Sequence, residues 1–277
     1  MKKHTVIFLS IVTIIMSFSM LFVSSCKKTN NGGGSSSDSG VFYFHLHTQI
    51  MDSTIGGNTD ASDSNTTGST SANTWFLDSL GRRIELFVPQ FFISNIMLVN
   101  ANGTMLTLSK PVLLKGLDSE DYYVCKVPIG TYTSAMFTVG LANADSNMSP
   151  SMMNFITDLN PYPVASSMWS GTDYYGMKIT GAYDTSGTGV NPLPFSFNIP
   201  NSLTIAHQIM LPTRGNSTYP AYTLLSGGTQ YIHVLCDYGR LLGAINLRTS
   251  NTTSGTNGIL IADSLANNLS NMFRYEE

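Results

Sequence analysis

The sequence predicts an all-β domain: a β-sandwich of short antiparallel strands with one C-terminal amphipathic helix. Three observations point there. Short apolar runs rich in β-branched and aromatic residues recur at close intervals, separated by Gly, Pro, Asn and Ser turn signals. Only 11% of the 277 residues are charged, so Asn, Ser, Thr and Gly must carry most of the solvation. One stretch near the C-terminus has helical spacing, and it follows the last strand-like run. The chain shows no internal repeat.

The chain opens on a leader. Lys2 and Lys3 precede an almost unbroken apolar run over 6–23, and Val23-Ser24-Ser25-Cys26 then places small residues before a cysteine. The run alone is long enough to span a membrane. The small-residue ending instead fits a lipoprotein signal peptide over 1–25, cleaved before Cys26. Cys26 is then the lipidated N-terminus, and its acyl chains anchor the protein to a membrane. Residues 26–40 are polar and rich in Gly, Ser and Asn, which suits a tether. Lys27, rather than Asp, after the cysteine agrees with an outer-membrane lipoprotein, periplasmic or surface-exposed. The domain proper is expected over 41–277, a length within reach of a single all-β domain.

Residues 41–50, Val-Phe-Tyr-Phe-His-Leu-His-Thr-Gln-Ile, alternate as a half-buried strand does. Phe42, Phe44, Leu46, Thr48 and Ile50 share one face; Tyr43, His45, His47 and Gln49 share the other. Residues 52–72 read as a polar loop, 75–77 as a short strand, 80–83 as a turn and 84–88 as a strand. The apolar run 91–99 ends at Asn102-Gly103, a turn from which 104–108 can return as a hairpin partner. Further strands are expected over 121–128, 131–140, 174–183, 195–199, 203–211 and 231–238. Between them, 143–167 carries Pro150, Pro161 and Pro163 and reads as a long loop. Ile261, Leu265, Leu269 and Met272 form the apolar stripe of a helix of about four turns.

Function classes narrow by exclusion. A net charge of −3 gives no electrostatic case for nucleic acid. No nucleophile elbow, phosphate-binding Gly loop, His-Glu-x-x-His or dinucleotide fingerprint is present, so the chain is not expected to be an enzyme. Cys125 and Cys236 both lie in apolar runs and leave three readings open: a disulfide, two buried thiols or a shared soft-metal site. Four histidines follow the leader, His45, His47, His207 and His233. His45 and His47, about 7 Å apart at Cα on one strand face, can converge on one metal ion. Equally, they can line a solvated face. Trp169 reads first as a packing anchor. Met148, Met152, Met153 and Met168 offer thioether sulfur to Cu(I), or fill gaps in a core.

Several stretches in order resemble the MbnP-like family of copper-associated periplasmic and surface proteins. They are Phe44-His45-Leu46-His47-Thr48, Gly81-Arg82-Arg83-Ile84, Phe92-Ile93-Ser94-Asn95-Ile96-Met97-Leu98-Val99 and Val127-Pro128-Ile129-Gly130-Thr131-Tyr132. Phe137-Thr138-Val139-Gly140-Leu141, Ser167-Met168-Trp169, 175–181 and 265–273 follow. The resemblance implies a β-sandwich. It also implies Cu(I) bound by histidines and an oxidised tryptophan, a kynurenine made by a dihaem tryptophan-oxidising partner. Carried over by position, Trp169 occupies the tryptophan loop, and His45 and His47 the first strand. The expected function is a membrane-anchored, copper-binding lipoprotein of the cell envelope; the alternative is a surface interaction or structural module that uses the fold without metal.

Overall fold

The computed structural model describes residues 38–49, 76–77, 82–108, 120–142, 146–147, 149–150, 165–184, 186, 192–215, 220–243 and 245–275. The leader, Cys26, the tether up to residue 37, the loop 52–72 and Met148, Met152 and Met153 lie outside the described residues.

In chain order the strands are β1 (Ser39–Gln49), β2 (Phe76–Leu77), β3 (Arg83–Phe91), β4 (Ile93–Asn100), β5 (Met105–Thr107), β6 (Glu120–Pro128) and β7 (Gly130–Val139). A 3-10 turn (Ala165–Met168) precedes β8 (Tyr175–Asp184) and β9 (Leu193–Pro200). Then come α1 (Asn201–Thr204), β10 (Gln208–Met210), β11 (Tyr222–Leu224) and β12 (Thr229–Asp237). The chain closes with α2 (Tyr238–Leu242), α3 (Gly258–Asn267), α4 (Leu269–Met272) and β13 (Phe273–Tyr275).

These strands make three sheets. The first runs β13-β12-β1-β6, the second β10-β7-β4-β5 with β11 also on β7, the third β2-β3-β8-β9. Neighbours are antiparallel except β1 and β12, which run parallel. The alternation read in β1 holds: Phe42, Phe44 and Leu46 are buried, while Tyr43 and His45 face outward. The buried face meets the second sheet, with the Phe44 ring 5.7 Å from Phe137 and Phe42 5.2 Å from Tyr132. Phe273 then joins Phe137 to Phe91 of the third sheet, at 5.2 and 5.6 Å. One aromatic chain therefore links all three sheets, as the sandwich expected from the sequence requires.

Strands change sheets where their backbone bonds change direction. The run 91–99, read as one strand, is split at Phe92. Its N–H donates to Gly176 O at the start of β8, and its C=O accepts from Gly140 N after β7. One bond goes to each sheet, so the chain crosses there. The turn Pro128-Ile129-Gly130 takes β6 into β7, and Tyr132 Oη ties it by donating to Pro128 O at 2.7 Å.

Two other elements differ from expectation. Residues 203–211 are not one strand, because α1 occupies their start and β10 begins at Gln208. Asn201 explains this. Its Oδ1 accepts from Leu141 N at 2.6 Å and its Nδ2 donates to Leu141 O at 2.9 Å, which pins α1 across the end of β7. Gly140 sits under that clamp with φ +117, where a Cβ would meet Asn201 Oδ1 and Thr204 Oγ1, so only glycine fits. The terminal helix breaks into α3 and α4 at Asn268, whose Nδ2 donates to Arg240 O at 2.7 Å and Leu241 O at 3.0 Å. That satisfies carbonyls at the end of α2. Leu265, Leu269 and Met272 are all buried, as the stripe predicts.

Cys125 and Cys236 are buried on the two strands flanking β1, and no disulfide joins them. Their registers explain why. Cys125 lies opposite Phe42 and Cys236 opposite Thr48, which are about 20 Å apart along β1, far beyond disulfide reach.

Candidate functional site on the outer face of the first sheet

The outer face of the first sheet is built from two complete cross-strand rungs. Tyr43 of β1 pairs in register with Tyr231 of β12 and Tyr123 of β6; His45 pairs with His233 of β12 and Asp121 of β6. On the β12 side the match arises because both strands carry Tyr-x-His, Tyr43-Phe44-His45 and Tyr231-Ile232-His233, and run parallel in register. On the β6 side a register shift does the work. Val124 and Cys125 are consecutive and both buried, and the pairing jumps by one residue between Phe42 and Tyr43. Without that bulge His45 would face Tyr122; with it, His45 faces Asp121.

The contacts follow the register. His45 Nδ1 lies 2.5 Å from Asp121 Oδ1, and the ring centroids of His45 and His233 are 4.7 Å apart with planes at 54°. Asp121, as a carboxylate, can only accept, so the Nδ1–H of His45 donates, and in the neutral ring the lone pair is then on Nε2. The side chains are 24% exposed at His45 and 46% at Asp121, open enough for an ion to arrive from solvent. In the neighbouring rung Tyr43 stacks on Tyr231 at 5.3 Å and meets Tyr123 edge-on at 5.7 Å.

A cleft of about 440 Å³ opens beside His233, lined also by Tyr231, Gln230, Arg214, Pro220, Ala221 and Tyr222. The Arg214 guanidinium lies 4.5 Å from the Tyr222 ring and 4.9 Å from that of Tyr275, and it donates to Tyr222 Oη at 3.1 Å. Burial raises both phenols above the usual tyrosine range, so Arg214 packs on neutral rings and forms one wall of the cleft.

The residues singled out from the sequence fall in different places. His45 is at the centre of the rung. His47 continues β1 opposite Leu235, and its side chain lies outside the described residues. Trp169 forms a bridge with Tyr174, just before β8 of the third sheet, and packs edge-on against its ring at 4.7 Å. Tyr174 passes that contact to Phe92 at 5.6 Å, so Trp169 does serve as a packing anchor. Met168 is fully buried in the core cluster. His45 and Trp169 are thus carried by separate sheets. Among the described residues no three His, Cys, Asp or Glu side chains gather in a metal-holding group. The sequence reading missed His233 and Asp121. The repeated Tyr-x-His and the Val124-Cys125 break in alternation were the signals for them.

The family model for MbnP matches residues 56–259. The chain belongs to the MbnP family. A solved structure, MbnP from Methylosinus trichosporium, is similar at 12% identity and a TM-score of 0.45, with 79% of this chain and 81% of that chain covered. Comparison with curated proteins found no match. The span matched to the MbnP model contains Trp169, Asp121 and His233; His45 and His47 lie N-terminal to it.

Proposed function

We propose that this MbnP-family chain is an outer-membrane lipoprotein, not an enzyme, that binds copper at the cell envelope. His45 is the central ligand, and Trp169 is the residue on which a dihaem tryptophan-oxidising partner would act. The observation that carries the metal reading is the partly buried His45 ring, 24% exposed, whose Nδ1 is held by Asp121 so that Nε2 carries the lone pair of the neutral imidazole. An imidazole oriented by a carboxylate is the usual arrangement of a metal-ligating histidine. Imidazole suits copper in either oxidation state.

Competition against a Cu(I) chelator on the full chain in detergent tests it. His45→Ala is expected to weaken binding about tenfold or more. His47→Ala, run in parallel, decides whether His47 joins the site. Trp169→Phe is expected to be silent in protein made without the oxidising partner. Wild type binding no tighter than the double histidine variant would remove the metal reading. The exposed tyrosine rung then favours an interaction module on the same fold. The anchor is tested separately: Cys26→Ala should abolish acylation and shift the protein out of the membrane fraction. Unchanged mass and fractionation would exclude it.

A further inference from the structure

We infer that the metal site is a cross-strand pair, His45 of β1 with His233 of β12, and that Asp121 of β6 is its positioning residue. The inference rests on the copper-binding reading for the identity of the ion; the ligand set stands on geometry. Residues directly opposite on neighbouring strands are about 4.8 Å apart, and these two carry imidazoles on the same outward face. The ring centroids are 4.7 Å apart, so the two imidazoles stay side by side. Two nitrogens share an ion at bonds of about 2.0 Å only within about 4 Å of each other, which rings at a 4.7 Å centroid separation reach by turning their nitrogen-bearing edges together.

The division of labour follows from the hydrogen bond. Asp121 Oδ1 is engaged by His45 Nδ1, so it sets the tautomer and the angle of the ring rather than binding the ion through that oxygen. His233 supplies the second nitrogen from the other neighbouring strand. The two protein nitrogens leave the remaining positions of the ion to water or an exogenous ligand. A structural zinc site is closed by four protein ligands, and among the described residues no group of three or more His, Cys, Asp or Glu closes this one. The cleft beside His233 opens onto the same side, so an exchanging ligand has a route to the ion. These features fit an exchangeable soft or borderline ion, which is what copper handling requires, and not a structural metal.

The test uses the full chain in detergent with one equivalent of Cu(II) as a spectroscopic probe, together with Cu(I) competition. Electron spin-echo spectra of wild type should count two imidazoles. His45→Ala and His233→Ala should each count one, and each should lower Cu(I) affinity about tenfold or more. The double variant should be far less than additive, because both remove the same site. Asp121→Leu, which offers no acceptor, should weaken binding about 10- to 100-fold; Asp121→Asn, which keeps an acceptor oxygen, should recover most of it. Melting of all the metal-free variants should match wild type, since the side chains are exposed or half-buried. If His233→Ala binds as wild type while His45→Ala does not, the pair is wrong and the copper reading survives. If neither variant weakens binding, both fall.

Discussion

Phe137→Ala is expected to destabilise the domain by about 3–5 kcal/mol. The ring is fully buried on β7 and touches Phe44 of the first sheet at 5.7 Å and Phe273 at 5.2 Å. It therefore stands where the first and second sheets meet, and its loss opens a cavity that neighbours on two packed layers cannot fill by moving together. Both edge-to-face pairs are lost as well, each contributing about 0.5–1.5 kcal/mol beyond burial. Urea unfolding reads the effect as a lower midpoint with unchanged slope. Phe87→Ala is the control: Phe87 is 48% exposed, and its loss should change stability by no more than about 0.5 kcal/mol. A shift at Phe137 as small as the control's would mean that the aromatic chain does not join the sheets.

The strands were legible because alternation is a local signal. Phe42, Phe44 and Leu46 against Tyr43 and His45 gave the inside and outside of β1 before any partner was known. The apolar stripe of Leu265, Leu269 and Met272 was legible for the same reason. What stayed hidden depends on partners far along the chain. Nothing near Phe92 says that its N–H and C=O bond to different sheets. Nothing near Asn268 says that its side chain will meet the carbonyls of Arg240 and Leu241. Nor does residue 203 betray that Asn201 has been drawn into a helix by Leu141.

The site divides along the same line. His45 could be singled out from its own strand, because facing outward is a property of one strand's period. His233 and Asp121 could not, because cross-strand pairing needs a register. The parallel pairing of β1 with β12 joins residues 188 positions apart, from 45 to 233, and the bulge at Val124 decides that Asp121 rather than Tyr122 meets the ring. A motif search along the chain therefore favours His45 and His47, neighbours in sequence. The fold supplies His45 and His233, neighbours across strands.

Asn201→Leu is expected to cost about 2–6 kcal/mol, although leucine matches its size. Leu141 is fully buried, and both of its backbone groups are satisfied by one side chain: N–H by Oδ1 at 2.6 Å, C=O by Nδ2 at 2.9 Å. Leucine fills the space and offers neither donor nor acceptor. Each orphaned group then carries its own desolvation penalty, about 1–3 kcal/mol. Leucine also leaves no room for a water to take over, and alanine does, so Asn201→Ala should be milder if solvent reaches the gap. Gly140 adds to the effect. Its backbone, at φ +117, fixes the turn that brings Leu141 to residue 201, so the orphaned groups reach new partners only if β7 or α1 shifts. The same displacement would loosen the contact of α1 with the residue before β8, where Asn201 N donates to Tyr174 O at 3.1 Å, and hence the seat of Trp169. Chemical unfolding gives the energy, and Trp169 emission, read in a Trp75→Phe background, gives the place. A red shift in the folded baseline, absent in Phe137→Ala, is the expected mark of the loosened clamp. Wild-type stability in Asn201→Leu would mean that Leu141 finds other partners and that the clamp does not hold α1.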